Sequence, residues 1–277
     1  MDRKATARET LNIISRGFYV VPGETRRIDI KQDIEYSVKN SRLITPAEGA
    51  AILRRYEEES SKKKVTSSVD TSVENISTVD AVRKLAARGK EKIGVLNFAS
   101  AKNPGGGFIN GANAQEESLA ASGTLYPTLT AQEEYYRENR AFKSMIYTDY
   151  GIYSPDVVFF REGNFRLAEP VKASVLTLPA VNMGQVIQKG EDIEKAKTAM
   201  KRRMKLALAV FADQGARNLV LGAYGCGVFR NDPQDIAAWW KEHLEEGYGE
   251  YFESIFHAVL DRSKCGKCIG AFDRILV

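Results

Sequence analysis

Gln115-Glu116-Glu117 puts two adjacent carboxylates seven residues beyond the run Gly105-Gly106-Gly107. Three consecutive glycines remove every β-carbon, so the backbone can approach a ligand closely and turn its N–H groups toward an anion. Asn97 and Asn103, on either side of the strand end that leads into the run, add amides able to bond ribose hydroxyls or an adenine edge. A second segment, Leu219-Val220-Leu221-Gly222-Ala223-Tyr224-Gly225-Cys226-Gly227-Val228-Phe229, again runs from an apolar strand into glycines. Two such loops at two strand ends can clamp a diphosphate, with Phe229 packing on a ribose or base. The residues alone thus describe a nucleotide-diphosphate site.

A carboxylate beside that clamp suggests glycosidic chemistry. Adjacent glutamates point about 100° apart on a helix and to opposite faces of a strand, so the pair cannot share one role. One would hold the ribose while the other transfers the proton. A second carboxylate and a bound diphosphate would raise the pKa of the proton-transferring group toward that of a usable general acid.

These loops need strands to carry them. Lys92–Phe98 reads as a short buried strand ending in the first glycine loop, with further strands at 65–69, 157–160, 175–178, 219–223 and 254–260. Helices are expected over 79–87 behind a Ser77 or Thr78 cap, over 192–213, and over 233–244. Alternation of this kind implies an α/β layered sheet whose ligands bind at the carboxyl ends of the strands. Ahead of it, Asp2 caps a helix that stops at Gly17. Phe18–Val21 and Arg27–Ile30 can pair across the Pro22-Gly23 turn, and Thr45-Pro46 starts another helix. The reading divides the chain into an accessory region, 1–64, wrapped on a core, 65–277, and expects one compact unit.

The tetrapeptide itself is not diagnostic, because Ala131-Gln132-Glu133-Glu134 repeats Ala114-Gln115-Glu116-Glu117 with no glycine loop before it. That second copy reads as a solvated helix face. With its glycines, the first copy resembles the GGG-x7-QEE signature of the poly(ADP-ribose) glycohydrolases, a catalytic branch of the macrodomain fold. LNFASAKNPGGGF, GANAQEESLAASGTLYPTL and LGAYGCGVFRNDP are similar to the shorter bacterial-type members, and with YSPDVVFFR and LTLPAVN they span most of 65–260. The resemblance implies a three-layer α/β/α macrodomain-like fold with a central mixed sheet and an N-terminal helical accessory region. It implies that Glu117 is the acid/base and that Glu116 holds the terminal ribose. Gly105, Gly106 and Gly107 would line the diphosphate and distal ribose. Gly225, Gly227 and Val228 would form the opposite phosphate loop, with Cys226 as its small residue and Phe229 against the ribose. It also implies cleavage mainly at chain ends, no cofactor, and poly(ADP-ribose), ADP-ribose or ADP-ribosylated macromolecules as partners. Two alternatives stay open: a module that binds ADP-ribose without cleaving it, and a hydrolase of mono-ADP-ribosylated protein or nucleic acid.

Other features are discounted. Cys265-x-x-Cys268 with His257 is half a zinc site, and a structural zinc usually takes four ligands, so no metal is expected. Cys226 has no histidine near it in sequence to make it a nucleophile. Trp239-Trp240 and Tyr135-Tyr136 read as packing, and Lys201-Arg202-Arg203 as a solvated face. Hydrophobic residues make up 43% and charged residues 27% of the 277, the balance of a globular protein. A net charge of +4 suits an anionic ligand but is too small for a dedicated nucleic-acid binder. Three cysteines, no secretory signal and no run of 18 apolar residues lead us to expect a soluble, cytoplasmic protein.

Overall fold

The computed structural model describes residues 2–62 and 69–277. In chain order its strands are β1 (Phe18–Val20), β2 (Arg27–Asp29), β3 (Arg42–Ile44), β4 (Asp70–Glu74), β5 (Ile93–Ala99), β6 (Gly151–Arg161), β7 (Leu167–Pro179), β8 (Asn218–Leu221) and β9 (Ser254–Ala258). Its α-helices are α1 (Arg3–Arg16), α2 (Lys31–Asn40), α3 (Pro46–Ser60), α4 (Thr78–Ala87), α5 (Gln115–Ser122), α6 (Leu125–Thr130), α7 (Glu133–Ala141), α8 (Met183–Gln188), α9 (Ile193–Asp213), α10 (Pro233–Glu245) and α11 (Lys267–Leu276).

β1 and β2 form the expected hairpin, and the other seven strands make one sheet in the order β3-β6-β7-β5-β8-β9-β4. The sheet is mixed: β3, β6 and β7 pair antiparallel, whereas β7, β5, β8, β9 and β4 run parallel. Strand alternation divides the core. Leu96, Leu176, Leu178, Leu219, Leu221 and Ile255 face one layer, with residues of α3, α8, α9, α10 and α11. Val95, Val175, Val220 and Phe256 face the other, with residues of α4, α5, α6 and α7. The result is the three-layer α/β/α arrangement expected from the sequence.

Local chemistry sets the element ends. Asp2 accepts from the amides of Lys4 and Ala5, and Gly17 closes α1 at φ 74°. Thr45 caps α3 with Pro46 in its first turn, and Ser77, Asp192 and Asp232 cap α4, α9 and α10. The expected strand at 65–69 lies, but for Val69, outside the described residues, as does the 64/65 boundary; β4 begins at Asp70. α2 had no forecast, because Ile30 offers no side-chain cap. β6 starts earlier than expected because Pro155 and Asp156 are absorbed in a bulge, with Asp156 at φ 49°. The N-terminal region adds β3 to the sheet edge. α1 is pinned to the end of α5 by a 2.6 Å hydrogen bond from Thr10 Oγ1 to the carbonyl of Ala121. Among the described residues no helix is long and apolar enough to cross a membrane.

Candidate active site

β5 lies between β7 and β8, so its carboxyl end is central in the sheet. The glycine loop leaves from it and returns as α5, whose first residues are Gln115, Glu116 and Glu117. Gln115 fastens the helix to the strand. Its Nε2 donates to the carbonyl of Leu96 at 2.8 Å and to Thr78 Oγ1 at 3.3 Å, and its Oε1 accepts from the amide of Phe98 at 2.9 Å. The sequence suggests a substrate contact for Gln115; its amide is instead engaged by the protein.

The helix separates the two glutamates as its geometry requires. Glu116 is 2% exposed. Its Oε2 accepts from the amide of Ser100 at 2.7 Å and its Oε1 from Nδ2 of Asn97 at 3.2 Å. Asn97 is itself fully buried and also donates to Thr177 Oγ1 at 3.1 Å. This corrects the expectation of a ribose or adenine contact, since Asn97 lies beneath Glu116 and positions it. Asn103 does sit at the loop mouth, with its side chain exposed.

Glu117 is half-exposed, and its carboxylate is held by backbone alone. Oε1 accepts from the amide of Gly107 at 2.9 Å and Oε2 from the amide of Ala114 at 3.0 Å. Ala114 is the N-cap and has no side chain to cap with, so Glu117, three residues on, satisfies that end of its own helix. Gly105 and Gly106 adopt φ 66° and 59°, the left-handed region. A β-carbon on Gly106 would stand 2.9 Å from the carboxyl carbon of Glu117 and closer still to its Oε1.

Burial pushes the Glu116 carboxyl up to about 8, and the charge of Glu117 adds to this, against the hydrogen bonds from Ser100 and Asn97 that lower it. The Oδ1 of Asn97 is buried without a partner; turned over, it would accept from the protonated carboxyl. Because folding raises this pKa, the folded chain holds the extra proton between the ordinary 4.5 and about 8. Stability therefore falls as pH climbs through that window, by on the order of a few kcal/mol in total. Glu116→Gln is expected to remove that dependence. Urea unfolding of both proteins at pH 5 and pH 9 checks it, and equal losses in the two would exclude Glu116 as the source.

The second loop faces this one from the end of β8. Gly225, at φ 74°, is packed so that a β-carbon would stand 2.6 Å from Asn231 Nδ2 and 2.8 Å from the β-carbon of Ala180. Asn231 braces the turn by donating to the carbonyls of Val181 (2.8 Å) and Gly225 (3.1 Å). The amides of Gly225, Gly227, Val228 and Phe229 donate to no acceptor among the described residues. Val228 is 78% exposed. Such a row of free amides binds an anion. Phe229 is half-buried, 6.1 Å from the ring of Tyr147.

Supports came from places the sequence did not flag. Arg203, expected on a solvated face, is 1% exposed. It pairs with Asp149 at 3.0 Å and donates to the carbonyls of Ile146, Tyr147 and Pro179, which fixes the Tyr147 that flanks Phe229. The helix carrying the second Gln-Glu-Glu props the first loop from below. Tyr135 donates to the carbonyl of Ser100 at 3.4 Å and Arg140 to that of Lys102 at 2.9 Å. Cys226 and Cys268 are thiols that face one another, and His257 is buried between Trp240 and Phe272. Among the described residues no three or more metal-ligating side chains come together.

Residues 7–162 match the family described as the microbial-type PARG catalytic domain. The chain belongs to the microbial-type poly(ADP-ribose) glycohydrolases. Solved structures of that family superpose over nearly its whole length. The poly(ADP-ribose) glycohydrolase of Thermomonospora curvata is 35% identical over 99% of each chain, with a TM-score of 0.92. A structure of the same enzyme bound to the inhibitor ADP-HPD is 34% identical over 98% of each chain, with a TM-score of 0.89. That of Deinococcus radiodurans in complex with ADP-ribose is 37% identical over 93% of this chain and 98% of the other, with a TM-score of 0.81. No curated protein sequence matches the chain. The macrodomain-like fold and the glycosidase class are therefore those of this family.

Proposed function

We propose that this chain hydrolyses the ribose–ribose O-glycosidic bond of poly(ADP-ribose) from chain ends and releases ADP-ribose, with Glu117 as the proton carrier. The observation that carries this reading is the carboxylate of Glu117, held between the amides of Gly107 and Ala114 at the mouth of a site with free amides on its other side. A module that only binds ADP-ribose has no need of an acid there.

Protonated Glu117 donates to the departing 2′-oxygen of the preceding unit as its bond to C1″ of the terminal ribose breaks. The positive charge that develops on that ribose is met by the bound diphosphate and the fixed loop dipoles. The ionised Glu117 then takes a proton from the water that attacks C1″, which restores the acid. Glu116 holds the ribose hydroxyls from its buried seat. Most glycosidases divide this work between two carboxylates; here one glutamate performs both proton transfers. Gly225, Gly227 and Val228 bind the diphosphate, Cys226 keeps that loop small, and Phe229 packs against the ribose. The few free thiols support a reducing, cytoplasmic setting.

Purified polymer, mono-ADP-ribosylated protein and ADP-ribosylated DNA, each incubated with the protein, test the reading. Free ADP-ribose from polymer alone is the expected product. Release from the mono-ADP-ribosylated substrates alone would overturn it.

A further inference from the structure

Three elements meet beside Glu117: the start of α1, the turn that follows Phe108, and the turn between β6 and β7. They enclose a narrow cleft whose lining includes Arg3, Thr6, Asn113 and Phe165 together with Glu117 itself. Glu116 has no part in this lining, and Glu117 is its only acidic side chain among the described residues. The accessory region thus supplies one wall of the space next to the acid. Gly111, at φ 81°, seats α1 there: a β-carbon on it would stand 3.2 Å from Cγ of Lys4 and 3.6 Å from Cβ of Arg3. Ala7 of α1 shares an apolar cluster with Phe108, Ala120 and Phe165.

One buried guanidinium fixes two walls of the cleft. Arg161, with its side chain 3% exposed, pairs with Glu9 at 2.8 Å and donates to Thr10 Oγ1 at 3.2 Å, which holds α1 in place. It also donates to the carbonyl of Phe165 at 2.9 Å. Phe165 stands at φ 68°, a conformation that a bulky residue keeps only where its surroundings impose it. The cleft also carries a positive charge with no partner. Arg3 is exposed and forms no ion pair with a described residue.

We propose that this cleft borders the leaving side of the scissile bond, and that Arg3 binds the 5′-diphosphate of the ADP-ribose unit that departs from Glu117. The proposal rests on the reading that the substrate is poly(ADP-ribose). The placement of the two glutamates and the covalent structure of the polymer supply the argument. Glu117 passes its proton to the leaving 2′-oxygen, so the departing unit must lie against that carboxylate. Glu116 and the glycine loops take the terminal ribose, which leaves the wall made by α1 and Phe165 for what departs. The ribose that bears the leaving oxygen also bears a diphosphate on its 5′ carbon, so an anion accompanies the oxygen on a short tether. An unpaired guanidinium in the same lining as the acid suits that anion. Free ADP-ribose has no group to place here. The contact therefore favours polymer over product and gives the accessory region a part in substrate choice.

The test uses the full chain carrying Glu117→Gln, so that polymer is bound without turnover. Arg3→Gln is added, and affinities for the two-unit polymer and for free ADP-ribose are compared. Arg8→Gln is the control, because it removes the same charge from an exposed position of the same helix outside the cleft. Melting temperatures confirm that the fold is kept. Arg3→Gln is expected to weaken binding of the two-unit polymer by about tenfold, the order of one lost hydrogen bond to a charged group, and to leave ADP-ribose affinity unchanged. Arg3→Lys should recover part of the loss, and Arg8→Gln should change neither affinity. Unchanged polymer affinity in Arg3→Gln overturns the proposal. So does an equal loss in Arg8→Gln, which would make the effect one of net charge, and so does a parallel loss of ADP-ribose affinity. Failure of the wild-type protein to release ADP-ribose from polymer would overturn the proposed reaction instead, and the binding comparison stands apart from it.

Discussion

Glu117→Gln is expected to lower the single-turnover rate on purified polymer by about 10^2- to 10^4-fold, the range of a positioned acid/base, while ADP-ribose affinity stays within a few-fold. Glutamine keeps the length and one acceptor oxygen, so it can bond either the Gly107 amide or the Ala114 amide. It cannot serve both, because its NH2 group meets the other N–H donor to donor. The variant should therefore also lose some stability, about 0.5–1 kcal/mol for a weakened helix cap. Rapid-quench kinetics, calorimetric titration with ADP-ribose and thermal melts separate the three effects. Undiminished release of ADP-ribose would remove Glu117 from the mechanism. Loss of ADP-ribose binding in step with rate would make it a binding group.

Gly106→Ala is expected to be nearly as damaging without touching any group that reacts. The new β-carbon would occupy space held by the carboxylate of Glu117 and would stand 3.1 Å from Oε2 of Glu116. The backbone at φ 59° cannot relax cheaply, since a left-handed residue with a β-carbon costs about 1–2 kcal/mol. The carboxylate must swing away from the Gly107 amide, and a displacement of that size at a reacting group costs about 10^2-fold in rate. Gly227→Ala is the matched control: nothing lies within 4 Å of its added carbon, its backbone is not left-handed, and its amide remains. The expected pattern is a large fall in kcat for Gly106→Ala, a small change for Gly227→Ala, and folded proteins in both cases. Equal activities would mean that the loop yields and that Glu117 is not fixed by it.

What the sequence made legible was short in range. Gly105-Gly106-Gly107, the seven-residue spacing and Gln115-Glu116-Glu117 lie within one loop and one helix turn, so their relation survives in one dimension. Strand alternation and side-chain caps did the same for β5, β7, β8, α4, α9 and α10. Long-range pairings had no such trace. Arg203 looked like part of a basic surface because nothing in Lys201-Arg202-Arg203 reveals the carbonyls of Ile146, Tyr147 and Pro179 that receive it. Asn97 looked like a ligand group because an amide at a strand end reads the same whether it faces up into a cleft or sideways to Glu116. α2 was silent for a different reason: it begins without a side-chain cap.

The hold on Glu117 by two backbone amides limits how this site can change under selection. Side-chain partners can be exchanged one at a time, but an amide persists through every substitution of the residue that bears it. Drift in the pose of the acid must therefore pass through the glycines or through the path of the loop, where single changes cost most. An inhibitor that engages Glu117 while it rests on Gly107 and Ala114 would leave few single-residue routes to resistance.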